Sequence, residues 1–264
     1  MFPLIPAILL PIVGLSVYIP LRIKEKMRPA LLLKTSLSML FILYSLYAIL
    51  RLWNGGANGD AVVLSVCVIA GMVCGLLGDV WLDLKDIHHN SKHFYMFCGF
   101  SFFLVGHLFF TSGNMYAFSF KPVALLIAVC VGMAIALLMF LLEKPMKLDY
   151  GRFRPILLVY SFILATTTVL PILFAFPAFA GDGAEISNRM INICGLSLRA
   201  TPAVFGAGMI LFFLSDLVLS QIYFSTAKQK PRPIMFVLNY ILYYGGQFTL
   251  AASLYFLQTS SGNA

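Results

Sequence analysis

Eight long apolar runs, separated by short polar connections, make up most of the chain. A helix needs about 20 mostly apolar residues to cross the hydrocarbon of a bilayer. The runs therefore predict spans at about 3–21, 30–50, 61–84, 94–112, 122–142, 156–179, 203–225 and 234–257. The first begins at Met1 with no basic region ahead of it and ends in Pro20-Leu21-Arg22 without a small-residue cleavage pattern, so it reads as a retained helix. The expected fold is an all-α polytopic membrane helix bundle of eight transmembrane helices, a single transmembrane domain over residues 1–264 with no soluble domain beside it.

Composition supports that class, since 61% hydrophobic and only 11% charged residues is far from the balance of a soluble domain. The 18 Lys and Arg residues then orient the bundle, because membrane proteins keep basic connections on the cytoplasmic side. Arg22, Lys24, Lys26, Arg28 and Lys34 follow span one, and Lys85 and Lys92 follow span three. Lys144, Lys147, Arg152 and Arg154 follow span five, and Lys228, Lys230 and Arg232 follow span seven. Only Arg51, Lys121, Arg189 and Arg199 lie on the other side. Both termini are expected to face away from the cytoplasm, across the inner or plasma membrane if the cell is bacterial. The net charge of +8 reflects this bias and attraction to anionic membrane lipids, not nucleic-acid binding.

Two acids stand inside the apolar runs, in Gly78-Asp79-Val80-Trp81-Leu82 and Ser215-Asp216-Leu217-Val218-Leu219. An ionised carboxylate near the bilayer centre costs roughly 2.5 to 3.5 kcal/mol on insertion scales, so a chain that carries two is expected to use them. At a helical rise of about 1.5 Å per residue, Asp79 lies roughly 8 Å and Asp216 roughly 14 Å below the cytoplasmic boundary, both in the inner leaflet. Asp83 shares the face of Asp79 one turn on, but its place beside Lys85 and Asp86 reads as interfacial.

On span eight, Asn239, Tyr240, Tyr243, Tyr244 and Gln247 recur at spacings of three and four, which makes a polar and aromatic stripe on one helix face. Such a stripe either glues the bundle by hydrogen bonds or lines a cavity. His107, deeper, is a packing residue unless an aspartate adjoins it. His88, His89 and His93 lie in a loop around Lys92, with neither an HExxH pattern nor an acid one helical turn away, so no metal is expected. No glycine-rich phosphate loop or GxSxG elbow appears, and no cofactor is called for. The five cysteines form no CxxC pattern and read as small packing residues.

Spans one to four resemble spans five to eight when set side by side. Tyr44-Ser45 stands opposite Tyr160-Ser161, Asp79 opposite Asp216, and Gly106-His107 opposite Gly246-Gln247. Two four-helix copies would run in the same direction, related by an axis along the membrane normal, and would turn the two aspartates towards each other. Chance likeness between segments rich in Leu, Phe and Gly is the other explanation.

The segments Gly75-Leu76-Leu77-Gly78-Asp79-Val80-Trp81-Leu82, Phe100 to Leu108, Leu214 to Leu219 and Tyr243-Tyr244-Gly245-Gly246-Gln247, in that order, resemble the YhhN family of lysoplasmalogenases. The resemblance covers essentially the whole chain; the outer loop from Gly181 to Thr201 is longer than the family's compact plan. It implies a hydrolase whose partner is a lysophospholipid within the bilayer. The sn-1 vinyl ether would be cleaved to a fatty aldehyde and a glycerophospho-ethanolamine or glycerophospho-choline. It places Asp79 and Asp216 where the family's acids stand, and more weakly carries over His107, Tyr243, Tyr244, Gln247 and Asp83.

The residues suit this chemistry on their own terms. Vinyl ether cleavage needs one carboxylic acid to protonate the β-carbon and one carboxylate to stabilise the oxocarbenium ion, the division of labour in glycosidases. The alternative from another class is a proton- or cation-coupled transporter using the same two aspartates.

Overall fold

The computed structural model describes residues 4–57, 59–118, 121–179, 190–227 and 232–257, with side chains from Ile12 onward, His89 excepted. Each predicted run forms a helix: α1 (Leu4–Ile23), α2 (Met27–Asn54), α3 (Gly59–Leu84), α4 (Lys92–Ala117), α5 (Pro122–Leu141), α6 (Arg154–Ala175), α7 (Ala200–Phe224) and α8 (Pro233–Ser253). By length and hydropathy alone, six of them, α2 to α7, can cross a membrane. The polar stripe dilutes the hydropathy of α8, and α1 can be judged only from Ile12 on. The chain is thus a multi-pass integral membrane protein.

One element departs from an all-α plan. Within the long connection before α7, β1 (Met190–Ile193) pairs antiparallel with β2 (Leu196–Arg199), with Cys194 and Gly195 both at positive φ in the turn. This is a two-residue hairpin turn, and glycine accepts its left-handed geometry without strain. The first part of that connection, residues 180–189, lies outside the described residues.

Helices adjacent in sequence pack side by side except α4 and α5; α5 packs on α6, and the bundle closes where α4 meets α6 and α2 meets α8. Four of the connections gather at one end. Arg22, at the end of α1, bonds Asp86, just beyond α3. The connection after α5 pairs with the one after α7, through Asp149 N–H to Phe224 C=O at 2.9 Å and Thr226 N–H to Lys147 C=O at 2.9 Å. Glu143, buried, ties the same region by accepting from the Tyr150 N–H and the Arg154 guanidinium. These are the connections that carry most of the Lys and Arg residues, so this is the basic end of the molecule.

In a bilayer, helices associate through close packing rather than hydrophobic exclusion, and small residues set how near they come. A Cβ on Gly106 of α4 would lie 2.9 Å from the Gly71 carbonyl of α3, and one on Gly246 of α8 would lie 2.9 Å from the Gly208 carbonyl of α7. Backbone meets backbone at both crossings, so neither can yield cheaply. Gly245 is different, since its Cβ would meet only Leu211 Cδ1 at 3.7 Å. Gly106→Ala and Gly246→Ala should each lose about 1–3 kcal/mol, as overpacked sites do, whereas Gly245→Ala should be near neutral. Melting temperatures in detergent would measure this; equal behaviour of the three variants would refute it.

Candidate active site

The two aspartates line one cavity at the basic half of the bundle, with Lys34, Leu82, Phe103, Ser215, Leu219, Tyr223, Asn239, Tyr240 and Tyr243. Its empty volume is about 370 Å³. Asp79 is buried. Its Oδ1 lies 2.9 Å from Lys34 Nζ, and its Oδ2 accepts from Tyr243 at 2.7 Å and Ser38 at 3.4 Å. Lys34 also reaches Asp83 Oδ1 at 3.5 Å, so one ammonium stands between two carboxylates.

One expectation is corrected here, and another gains detail. Lys34 does not belong to the basic loop after α1; it sits two turns into α2, on the face that buries Ala30, Leu37, Ser38, Phe41 and Ser45. Asp83, read as interfacial from its sequence neighbours, lies at the last turn of α3 but is 3% exposed within the protein, and its Oδ2 has no hydrogen-bond partner among the described residues. The reason is the helical period. Asp79 and Asp83 lie one turn apart and face α2, whose own buried stripe presents Lys34 at that level.

Asp216 is held differently. Tyr160 of α6 donates a hydrogen bond to its Oδ2, and the same hydroxyl lies 3.5 Å from His107 Nε2. No cation pairs with Asp216 among the described residues. His107 is 1% exposed and lines neither this cavity nor the next; it stands behind Tyr160, edge-on to Phe212. The stripe of α8 divides by task. Tyr243 bonds Asp79 and receives Gln247 Nε2 at 3.3 Å, while Asn239 bonds the Ser215 carbonyl and hydroxyl. Tyr240 shares a 2.6 Å bond with Tyr18, and Tyr244 donates to the Lys34 carbonyl. Among the histidines of the loop, His88 stacks on Tyr95 and His93 leans on Phe153; the His89 side chain is outside the described set.

Sequence reasoning overlooked Lys34, Tyr160 and Tyr223. A signal existed for the first, because Lys34 fell inside the predicted span 30–50 at a spacing of four from both Ala30 and Ser38. Tyr160 stood in the repeat comparison with no role attached to it. Nothing marked Tyr223.

With the geometry established, comparison with known families decides the relationship: the model of the YhhN family matches residues 29–254. The chain belongs to the YhhN family. That match takes in α2 to α8 and every residue of the cavity. No curated protein and no solved structure shows significant similarity to the chain.

The roof of the site at the basic end is charged as well. Lys85, just past α3, packs its ammonium 4.0 Å over the Tyr223 ring and bonds Asp86 at 3.1 Å. Burial pushes Lys85 down to about 8, with neighbouring Arg22 acting in the same sense and Asp86 and Asp83 against it. Asp86 is held below the ordinary carboxylate range, for Lys85 and Arg22 outweigh its own burial.

Two tests follow from this arrangement. Breaking a buried ion pair typically costs about 3–5 kcal/mol because a charge is left uncompensated. Lys34→Met should therefore unfold at much lower temperature, and adding Asp79→Asn with Asp83→Asn should restore part of the loss. Equal loss in the single and triple variants would show that Lys34 acts by packing alone. The second test concerns pH. Lys85 titrates near 8 when folded against 10.5 when unfolded, so the unfolded chain binds more protons in that window and stability rises with pH across it. Lys85→Met should remove this rise from the melting profile, and an unchanged profile would refute the assignment.

Proposed function

We propose that this protein is a lysoplasmalogenase-type hydrolase that cleaves the sn-1 vinyl ether of lysoplasmalogens by aspartate acid–base catalysis. The YhhN family is associated with that activity. The observation that carries the reading is the unequal setting of two acids in one cavity: Asp79 is paired with an ammonium, whereas Asp216, among the described residues, is bonded by a tyrosine hydroxyl and by no cation.

The roles follow from those partners. Asp79, paired with Lys34 and hydrogen-bonded by Tyr243, is the carboxylate. Asp216 is the proton donor, with Tyr160 bonded to one oxygen and the other free to carry the proton. Asp216 gives its proton to the β-carbon of the vinyl ether, and the electron pair of the double bond forms the new C–H bond. The cation that results is shared between the α-carbon and the ether oxygen, and the carboxylates stabilise it as in glycosidases. Water oriented by Asp79 adds to the α-carbon and returns a proton to Asp216. The hemiacetal then passes its hydroxyl proton to the ether oxygen as the C–O bond breaks, which releases aldehyde and glycerophospho-alcohol. His107 acts through Tyr160 as a positioning residue.

The membrane placement belongs to the same proposal. All eight helices span the bilayer, and the basic end faces the cytoplasm, with both termini on the far side. The two halves are copies of one four-helix unit. Supporting this, Gly106 meets the Gly71 carbonyl as Gly246 meets the Gly208 carbonyl, and Asp79 and Asp216 each lie eight residues after the first glycine of their crossing.

Aldehyde release by the detergent-purified protein tests the reading. General acid–base groups contribute about 10²- to 10⁴-fold, so Asp79→Asn and Asp216→Asn should each lose activity on that scale while melting as folded proteins. Absence of turnover in the wild type would sink the hydrolase and make proton or cation flux in liposomes the next assay.

A further inference from the structure

A second cavity lies against the first. It is bounded by Phe100, Met139, Leu157, Leu164, Phe213 and Leu217 among others, with about 540 Å³ of empty volume including its mouth. Its lining is mostly carbon; the polar exceptions are Ser161, Ser220, three tyrosine hydroxyls and Asp216. Three residues, Asp216, Leu219 and Tyr223, belong to both cavities. They stand at spacings of three and four on α7 and so form one stripe along that helix. From Asp216 to Tyr223 every residue of α7 is partly exposed, so the cleft reaches the lipid-facing surface of the bundle.

We propose that this cleft between α6 and α7 is the binding site for the hydrocarbon chain of the substrate, with the Asp216–Leu219–Tyr223 stripe dividing that chain from the polar part of the molecule beside Asp79. The inference rests on the hydrolase reading for the identity of the ligand. Its chemistry fits the divided site closely. The carbon that accepts the proton is the one from which the chain continues, and Asp216 is the one acid that faces the apolar cleft. The carbon that accepts water bears the ether oxygen and glycerol, and Asp79 faces only the polar cavity. A substrate laid across the stripe thus presents each carbon to the acid assigned to it. A single chain is the occupant because one continuous apolar cleft meets the polar cavity, and it opens sideways to the bilayer from which a one-chain lipid would enter.

Saturated alkyl-ether lysolipids, which no acid pair can cleave this way, make uncoupled probes of the site. Each methylene buried is worth roughly fourfold in affinity. Leu157→Trp and Leu217→Trp, which narrow the cleft without touching either aspartate, should weaken a long-chain probe by roughly tenfold or more and a short-chain probe much less. Leu157→Ala, which cannot crowd the helices, should leave the short-chain probe unchanged and alter the long-to-short ratio. Unchanged long-chain affinity in the two tryptophan variants, with melting temperatures like the wild type, would overturn the chain site. Altered chain selectivity without aldehyde from any vinyl ether would keep the chain site and overturn the hydrolase. Aldehyde release with unaltered selectivity would do the reverse.

Discussion

One ammonium buried between two carboxylates organises the basic half of this protein. Lys34 bridges Asp79 and Asp83, and the three groups come from helices that must keep their depth and rotation for the contacts to survive. Nearby, Arg22 and Lys85 share Asp86. Asp79, Asp83 and Asp86 stand on one face of α3 and its extension, at spacings of four and three. The cluster therefore holds three carboxylates and three cations, and it is neutral as a whole. Desolvation of such ions commonly exceeds what their attraction returns, so the cluster is poorly explained as a device for stability. A site that needs a fixed carboxylate inside a membrane explains it better.

The two aspartates stand in similar helical settings with different chemistry around them. A glycine carbonyl of α3 meets Gly106 of α4, and one of α7 meets Gly246 of α8, with an aspartate eight residues after Gly71 in one and after Gly208 in the other. Yet α6 presents Tyr160 to Asp216, where α2 presents Lys34 and Ser38 to Asp79. Two acids with like backbones and unlike partners are what acid–base chemistry requires, since the donor and the carboxylate must differ while they stand together.

The helices were legible because a membrane-spanning helix needs a long apolar run, and all eight runs form helices within a few residues of their predicted ends. The aspartates and the α8 stripe were legible for the same reason: polar groups stand out against an apolar background. What misled was a rule applied to the wrong residue. Counting Lys34 with the loop cations treated it as an orientation signal, although its spacing from Ala30 and Ser38 placed it on a buried face. The burial of Asp83 was not legible from its sequence neighbours, because its helical neighbour Asp79 and the facing Lys34 decide its surroundings. Tyr160 and Tyr223 could not be singled out, because a tyrosine gains its role here from which helix lies opposite, and sequence alone does not give the pairing. The hairpin before α7 was missed because a four-residue strand has too short a pattern to read.

Asp83 acquires a purpose when charge is followed through the proposed reaction. A cation forming beside Asp79 meets a carboxylate already matched by Lys34, and a neutral pair attracts it far less than a free anion does. Asp83 changes that balance, because it draws the same ammonium towards a second carboxylate 3.5 Å away, so that Lys34 does not serve Asp79 alone. Its Oδ2 is left without a hydrogen-bond donor among the described residues, and its charge is balanced without a bond there by the nearby Arg22 and Lys85. The lysine then fixes where the carboxylates stand, and sharing it between two acids leaves Asp79 less than fully paired inside a cluster that is neutral as a whole. On this account the buried ion cluster is an electrostatic surface prepared in advance for a developing positive charge, the kind of preorganisation that a low-dielectric site makes effective.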